Sequence, residues 1–101
     1  MMKEAMAAYN QAVRLDPRSA RVYNHRGNAY RRLGQYYKAL QDYDEAIRLA
    51  PQLAESYAGR AFAYILLHKD KEARQDVARA VGLGFESALL EREVEELAKR
   101  R

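Results

Sequence analysis

Cysteine, tryptophan and threonine are missing from this chain of 101 residues, and proline occurs only twice. Without cysteine there is no disulfide framework, no thiolate zinc site and no cysteine nucleophile, and a reducing compartment is permitted. β-Branched residues are scarce as well: valine and isoleucine supply seven residues between them, against 18 alanines and 11 leucines. That balance favours helices and nearly excludes a sheet. No apolar run approaches the ~18 residues of a membrane span. The opening Met1-Met2-Lys3-Glu4 also lacks the apolar core of a secretory signal. At 49% hydrophobic and 32% charged residues, the composition is that of one small domain with a modest core, not of a disordered segment. A soluble cytoplasmic protein with no membrane partner is the expectation.

The formal net charge of +4 raises the question of a polyanionic partner. The whole excess falls between residues 19 and 34, on Arg21, Arg26, Arg31 and Arg32, with no acidic residue among them. Affinity for a phosphate backbone grows with the number of contacts, so a general nucleic-acid binder would spread its cations along a longer stripe. Nucleic acid is therefore a disfavoured partner, and RNA binding through Arg21, Arg31 and Arg32 is the weakest functional reading.

What is present is a repeat. Pro17 and Pro51 stand 34 residues apart and close similar phrases, Asn10-Gln11-Ala12-Val13-Arg14-Leu15-Asp16 and Asp44-Glu45-Ala46-Ile47-Arg48-Leu49-Ala50. Laying residues 20–53 over 54–87 gives 11 identities, among them Tyr23/Tyr57, Arg26/Arg60, Tyr30/Tyr64, Asp42/Asp76 and Ala46/Ala80. Tyr23, Gly27, Tyr30 and Leu33 recur at helical spacing, Gly34 interrupts, and Ala39, Tyr43, Ala46 and Ile47 resume the pattern. Each repeat thus reads as two helices. Gly27, Ala39 and Ala46 allow close backbone approach, and tyrosine rings fill the space beside them. Pro17 and Pro51 end one helix, Ser19 is placed to cap the next, and Gly82 and Gly84 supply the last stop.

The run Tyr23-x3-Gly27-x2-Tyr30-x3-Gly34-x-Tyr36-x2-Ala39-Leu40-x2-Tyr43-x2-Ala46-Ile47-x-Leu49-x-Pro51 resembles the tetratricopeptide repeat (TPR) in nearly every signature place. The resemblance implies an all-α, right-handed solenoid of antiparallel helical hairpins, about two and a half repeats plus a C-terminal capping helix. Residues 1–18 would be a half repeat holding the second helix only, 19–53 a near-ideal repeat, 54–85 a divergent one and 86–101 the cap, all in one domain. In the divergent repeat Ala61, His68, Asp70, Arg74 and Phe85 stand where the stronger one has Gly27, Gly34, Tyr36, Leu40 and Pro51. A terminal repeat tolerates such drift because one face packs on no further repeat. In the last helix Leu90, Val94 and Leu97 form a narrow apolar stripe, with Glu91, Glu95, Glu96 and Lys99 facing away. Ser87 is the expected N-cap, and Lys99, Arg100 and Arg101 suit the end of the helix dipole.

Catalytic chemistry finds little support. Ser19, Ser56 and Ser87 each stand at or near a predicted helix start, where capping accounts for them. His25 and His68 have no second histidine at a metal-binding spacing, and the glycines form no phosphate loop. No enzyme activity, metal or cofactor is expected. Arg26 with Asp42 and Arg60 with Asp76 read as an ion pair repeated down the array, within or between adjacent repeats, and not as ligand contacts.

By the resemblance, the first helices of successive repeats line a concave groove. Arg21, Asn24, Asn28, Arg31 and Arg32 point away from Tyr23, Gly27 and Tyr30 and would form one wall, bordered by His25. The next wall holds Glu55, Ala58, Phe62 and Ile65. A peptide or helix could set a carboxylate against Asn28 and Arg31 and an apolar side chain against Phe62. Phe62 and Ile65 have three candidate neighbours: a ligand, the chain's own last helix, or a second copy. Some relatives grip the tails of heat-shock chaperones through Lys, Asn and Arg from three repeats. Here Asn28 matches, but Asn24 and Gly59 replace a Lys and an Asn, and in the alternative frame His25, Glu55 and Gly59 replace Asn, Lys and Arg. That disfavours a chaperone-tail ligand. The reading is a non-catalytic module that binds a protein or peptide, acidic with an apolar anchor. Its alternative is a homodimer through Met6, Tyr9 and Val13 on the first helix, which has no hairpin partner in this sequence.

Overall fold

The computed structural model describes residues 2–100. Among them every regular element is helical: α1 (Met2–Leu15), α2 (Ala20–Arg32), α3 (Tyr36–Leu49), α4 (Ala54–Leu66), α5 (Asp70–Gly82) and α6 (Ser87–Arg100). The expectation for Arg101 at the end of the last helix lies outside the described residues. Helices α2 and α3 form one antiparallel hairpin and α4 and α5 the next; α1 packs on α2, and α6 on α4 and α5. The stack measures 37 × 27 × 19 Å. None of the described helices is long and apolar enough to cross a membrane.

The boundaries follow from local chemistry. Ser19 accepts a hydrogen bond from the Val22 amide at 3.3 Å and caps α2 as expected. Three helices end in the same way: the residue after the C-cap takes a left-handed conformation, and the two amides at the turn bond back to carbonyls of the last turn. That residue is Gly34 (φ 78°), His68 (φ 62°) and Gly84 (φ 100°). Gly82, expected to share the last stop, is instead the final residue of α5. Ser87 is the first residue of α6 and not its cap; the Glu86 carboxylate accepts from the Ala88 amide at 3.2 Å in that role. Ser56 is no cap either, because it lies fully buried inside α4.

Packing within the stronger repeat centres on Tyr43, which is 0% exposed. Its ring lies between Gly27 of its own hairpin and Gly59 of the following helix. A Cβ at Gly27 would fall 3.0 Å from the ring, and one at Gly59 only 2.6 Å from it. The second core cluster joins Tyr57, Ala58, Ala61, Ile65, Ala73 and Ala80 to Leu90 and Val94 of α6. The expected apolar stripe of the last helix is thus what docks it.

Each hairpin carries the expected Arg–Asp pair, and the pair lies within the repeat. Arg26 donates through Nε and Nη2 to both carboxylate oxygens of Asp42, each at 2.8 Å, and Arg60 does the same to Asp76. The remaining Nη1 reaches back to the preceding helix, from Arg26 to Asn10 at 3.1 Å and from Arg60 to Asp44 at 2.9 Å. Tyrosine rings flank both guanidinium groups, Tyr23 and Tyr30 around Arg26, Tyr57 and Tyr64 around Arg60. The carboxylate hydrogen bonds raise both arginine pKa values and outweigh the burial that opposes them.

Candidate functional site

Helices α2, α4 and α6 pack side by side as one layer. A groove of about 430 Å³ crosses this layer, lined by Arg31 of α2, Phe62 of α4, and Arg92, Glu93, Glu96, Leu97 and Arg100 of α6. Phe62 and Leu97 supply apolar surface, and the charged side chains surround it.

Arg31 is held from two sides. Its Nε donates to the Tyr43 hydroxyl at 3.1 Å, and that hydroxyl donates in turn to Asn28 Oδ1. The guanidinium carbon stands 5.2 Å from the centroid of the Phe62 ring. Because the buried Tyr43 ring is clamped between two glycines, its hydroxyl is fixed where Arg31 and Asn28 meet it. Burial raises the Tyr43 pKa, and the neighbouring Arg31 offsets part of that rise.

The candidate residues divide into two groups. Arg31 and Phe62 meet at the groove, with Asn28 behind them as a partner of Tyr43. Arg21 and Glu55 pair across α2 and α4 at 3.6 Å, both exposed, and Arg32 is exposed at the end of α2. His25 stacks on Tyr9 at 6.3 Å between ring centroids, 17° from parallel. Three residues assigned to the groove wall lie in the interior instead. Asn24 is 6% exposed because its side-chain oxygen accepts from buried Ser56 at 3.1 Å. Ala58 and Ile65, each 3% exposed, belong to the core cluster that receives Leu90 and Val94. For Ile65, then, the neighbour is the chain's own last helix, and Phe62 packs at the margin of the same cluster. Met6, Tyr9 and Val13 are half-buried.

Arg92, Glu93, Glu96 and Arg100 were not singled out as groove residues from the sequence, where the charges of α6 read as a solvated cap. Carrying the 34-residue period once more would have found them, since Arg92, Glu96 and Arg100 then fall under Ala58, Phe62 and Leu66.

A stack of antiparallel helical hairpins, alternately lining a groove and its back, is the architecture of a helical-repeat protein. The tetratricopeptide repeat family model matches residues 20–53, and a second TPR repeat model matches 2–34. The chain belongs to the tetratricopeptide repeat family. No curated protein sequence matches it. Among solved structures, it is similar to the first TPR of Spaghetti (RPAP3) bound to the HSP90 peptide SRMEEVD, at 25% identity and a TM-score of 0.88, covering 98% of this chain and 79% of that one. The second TPR of the same protein, bound to the same peptide, matches at 28% identity and a TM-score of 0.79 over 81% and 76% of the two chains. The first TPR domain of human RPAP3 matches at 26% identity and a TM-score of 0.85 over 98% and 80%.

Proposed function

We propose that this chain is a non-catalytic protein-interaction module that takes a peptide segment in the groove across α2, α4 and α6. One observation carries the reading: a guanidinium already fixed by a buried tyrosine lies over an aromatic ring at the groove floor. Such a group is ordered before the ligand arrives, so less of the binding free energy is spent on ordering it. The likeness to TPR domains that hold a heptapeptide supports the same reading. The residues standing at the chaperone-tail positions do not favour that particular peptide, because Asn24 is bonded to Ser56, Asn28 is bonded to Tyr43, and Gly59 lies against the Tyr43 ring. Selection from a displayed library of random peptides, followed by titration by fluorescence anisotropy, tests the proposal. Selected peptides are expected to lose affinity with Phe62→Ala and Arg31→Glu, since truncating a central aromatic anchor commonly costs ~2 kcal/mol or more. Failure to select any binder, or unchanged binding by both variants, would sink it.

A second reading has an observation of its own. Helix α1 buries none of its residues fully, whereas each of the other five helices does, and this favours a homodimer through Met6, Tyr9 and Val13. Light scattering across a concentration series tests it: a mass that stays at 11.7 kDa excludes the dimer, and a dimer lost in Tyr9→Lys supports it. RNA fits less well. Of the three arginines that a phosphate backbone would need, Arg21 is already paired with Glu55.

A further inference from the structure

The groove does more than attract negative charge. Its lining holds three guanidinium groups, Arg31, Arg92 and Arg100, against two carboxylates, Glu93 and Glu96, so one positive charge is left unbalanced. Arg31 is the one fixed in place. With Nε engaged by Tyr43 and the plane resting over Phe62, its two Nη groups bond to nothing among the described residues. A fork of that kind matches a single carboxylate in bidentate geometry. Around it, Phe62 and Leu97 offer a place for one large apolar side chain. Further carboxylates would approach Glu93 and Glu96, and in a partly desolvated groove like charges cost more than they do in water.

We infer that the groove selects a peptide segment in which a single carboxylate neighbours one large apolar side chain, and that it discriminates against runs of acidic residues. This deepens the peptide-binding reading and rests on it. Charge complementarity sets the acidic limit, and the Phe62–Leu97 floor sets the apolar anchor. Tyr43 and Asn28 are positioning residues that act through Arg31.

The test uses three fluorescein-labelled peptides of equal length in a serine–glycine background, with both ends blocked. One carries Asp beside a Leu-Phe pair, the second has that Asp replaced by Asn, and the third has three consecutive Asp before the pair. The single-Asp peptide is expected to bind roughly tenfold tighter than the Asn peptide, the increment of one charge-assisted bidentate contact, and the three-Asp peptide no tighter than the single-Asp one. Arg31→Lys keeps the charge but loses the fork, so it should narrow the Asp-to-Asn ratio several-fold. Tyr43→Phe, which keeps the ring and removes the hydroxyl, should narrow it as well, with circular dichroism confirming unchanged helix content. Equal binding of the Asp and Asn peptides, tightest binding by the three-Asp peptide, or a ratio untouched by Arg31→Lys overturns the inference. If all three bind alike and all are lost in Phe62→Ala, selectivity fails while the peptide-binding reading stands. If neither these peptides nor any from the displayed library bind, both fall.

Discussion

The two full repeats place different chemistry on the same frame. Where the first has Asn28, Arg31 and Tyr43 joined by hydrogen bonds, the second has Phe62, Ile65 and Val77, each 34 residues on, packed in or against an apolar cluster. Gly27 against Tyr43 becomes Ala61 against Val77. The added methyl on one helix accompanies a smaller side chain on the other, as close packing requires when the distance between helices is kept. The Arg–Asp pair, in contrast, is retained with the same 2.8 Å geometry in both repeats. The frame therefore resides in the ion pair and the small residues, while the contact between the two helices of a hairpin is free to change from a polar network to an apolar one. That freedom is what gives the groove two unlike sides.

Truncating the tyrosine should separate the repeats most strongly. Tyr43→Ala is expected to cost about 3–5 kcal/mol, as other buried aromatic truncations do, and Val77→Ala well under half of that. Urea denaturation of the two variants measures both, and equal losses would break the comparison. Next comes Gly59→Ala, whose Cβ would stand 2.6 Å from the Tyr43 ring; a loss of about 1–3 kcal/mol is expected from overpacking. Adding Tyr43→Val to Gly59→Ala should recover part of this, and a double-mutant cycle reads the coupling directly.

At the hairpin turn, His68 holds the left-handed conformation that Gly34 holds in the other repeat. His68→Gly should raise stability by roughly 1 kcal/mol, because a side chain at positive φ is strained. A higher melting midpoint in calorimetry is the expected result, and no change would mean that the turn tolerates the histidine without strain.

The smallest effect is a dependence on alkaline pH. Burial raises the pKa of Tyr43, and to the same end that of Tyr64, above the usual tyrosine value. The folded chain thus prefers the neutral phenol. The resulting stabilisation is fully present below pH ~10 and is lost as the pH rises through the folded value. Urea midpoints measured from neutral to strongly alkaline pH should fall less steeply in Tyr43→Phe than in the parent chain, and parallel curves would show that Tyr43 takes no part.

Much of the fold could be read from the sequence because its signals are periodic. The 34-residue repeat located five helices, and the alternation of Leu90, Val94 and Leu97 placed the sixth. The Arg–Asp pair was legible because both partners recur together. The groove was less legible, because facing direction on a single helix does not reveal what a neighbouring helix covers. Asn24 points away from Tyr23 and Tyr30 as expected, yet α4 brings Ser56 to it and closes it off. Ile65 lies under α6 for the same reason. Ser56 looked like a cap because it stands near a helix start, and only the packed structure reveals that Asn24 is its partner. Glu96 reads as outward-facing charge because a capping helix has a solvent side, whereas α6 also completes the layer begun by α2 and α4.

The backward reach of Arg26 to Asn10 and of Arg60 to Asp44 works as a mechanical cross-tie, fastening each hairpin to the helix before it. At the next joint along the stack the equivalent positions hold Val94 and Ala78, which cannot form one. Tension applied along the stack is therefore carried across the first two joints by a guanidinium, whereas no arginine of this kind stands at the third. Here α6 docks by setting Leu90 and Val94 into the apolar cluster of the last hairpin. The groove against Phe62 spans this joint, the one without a guanidinium tie.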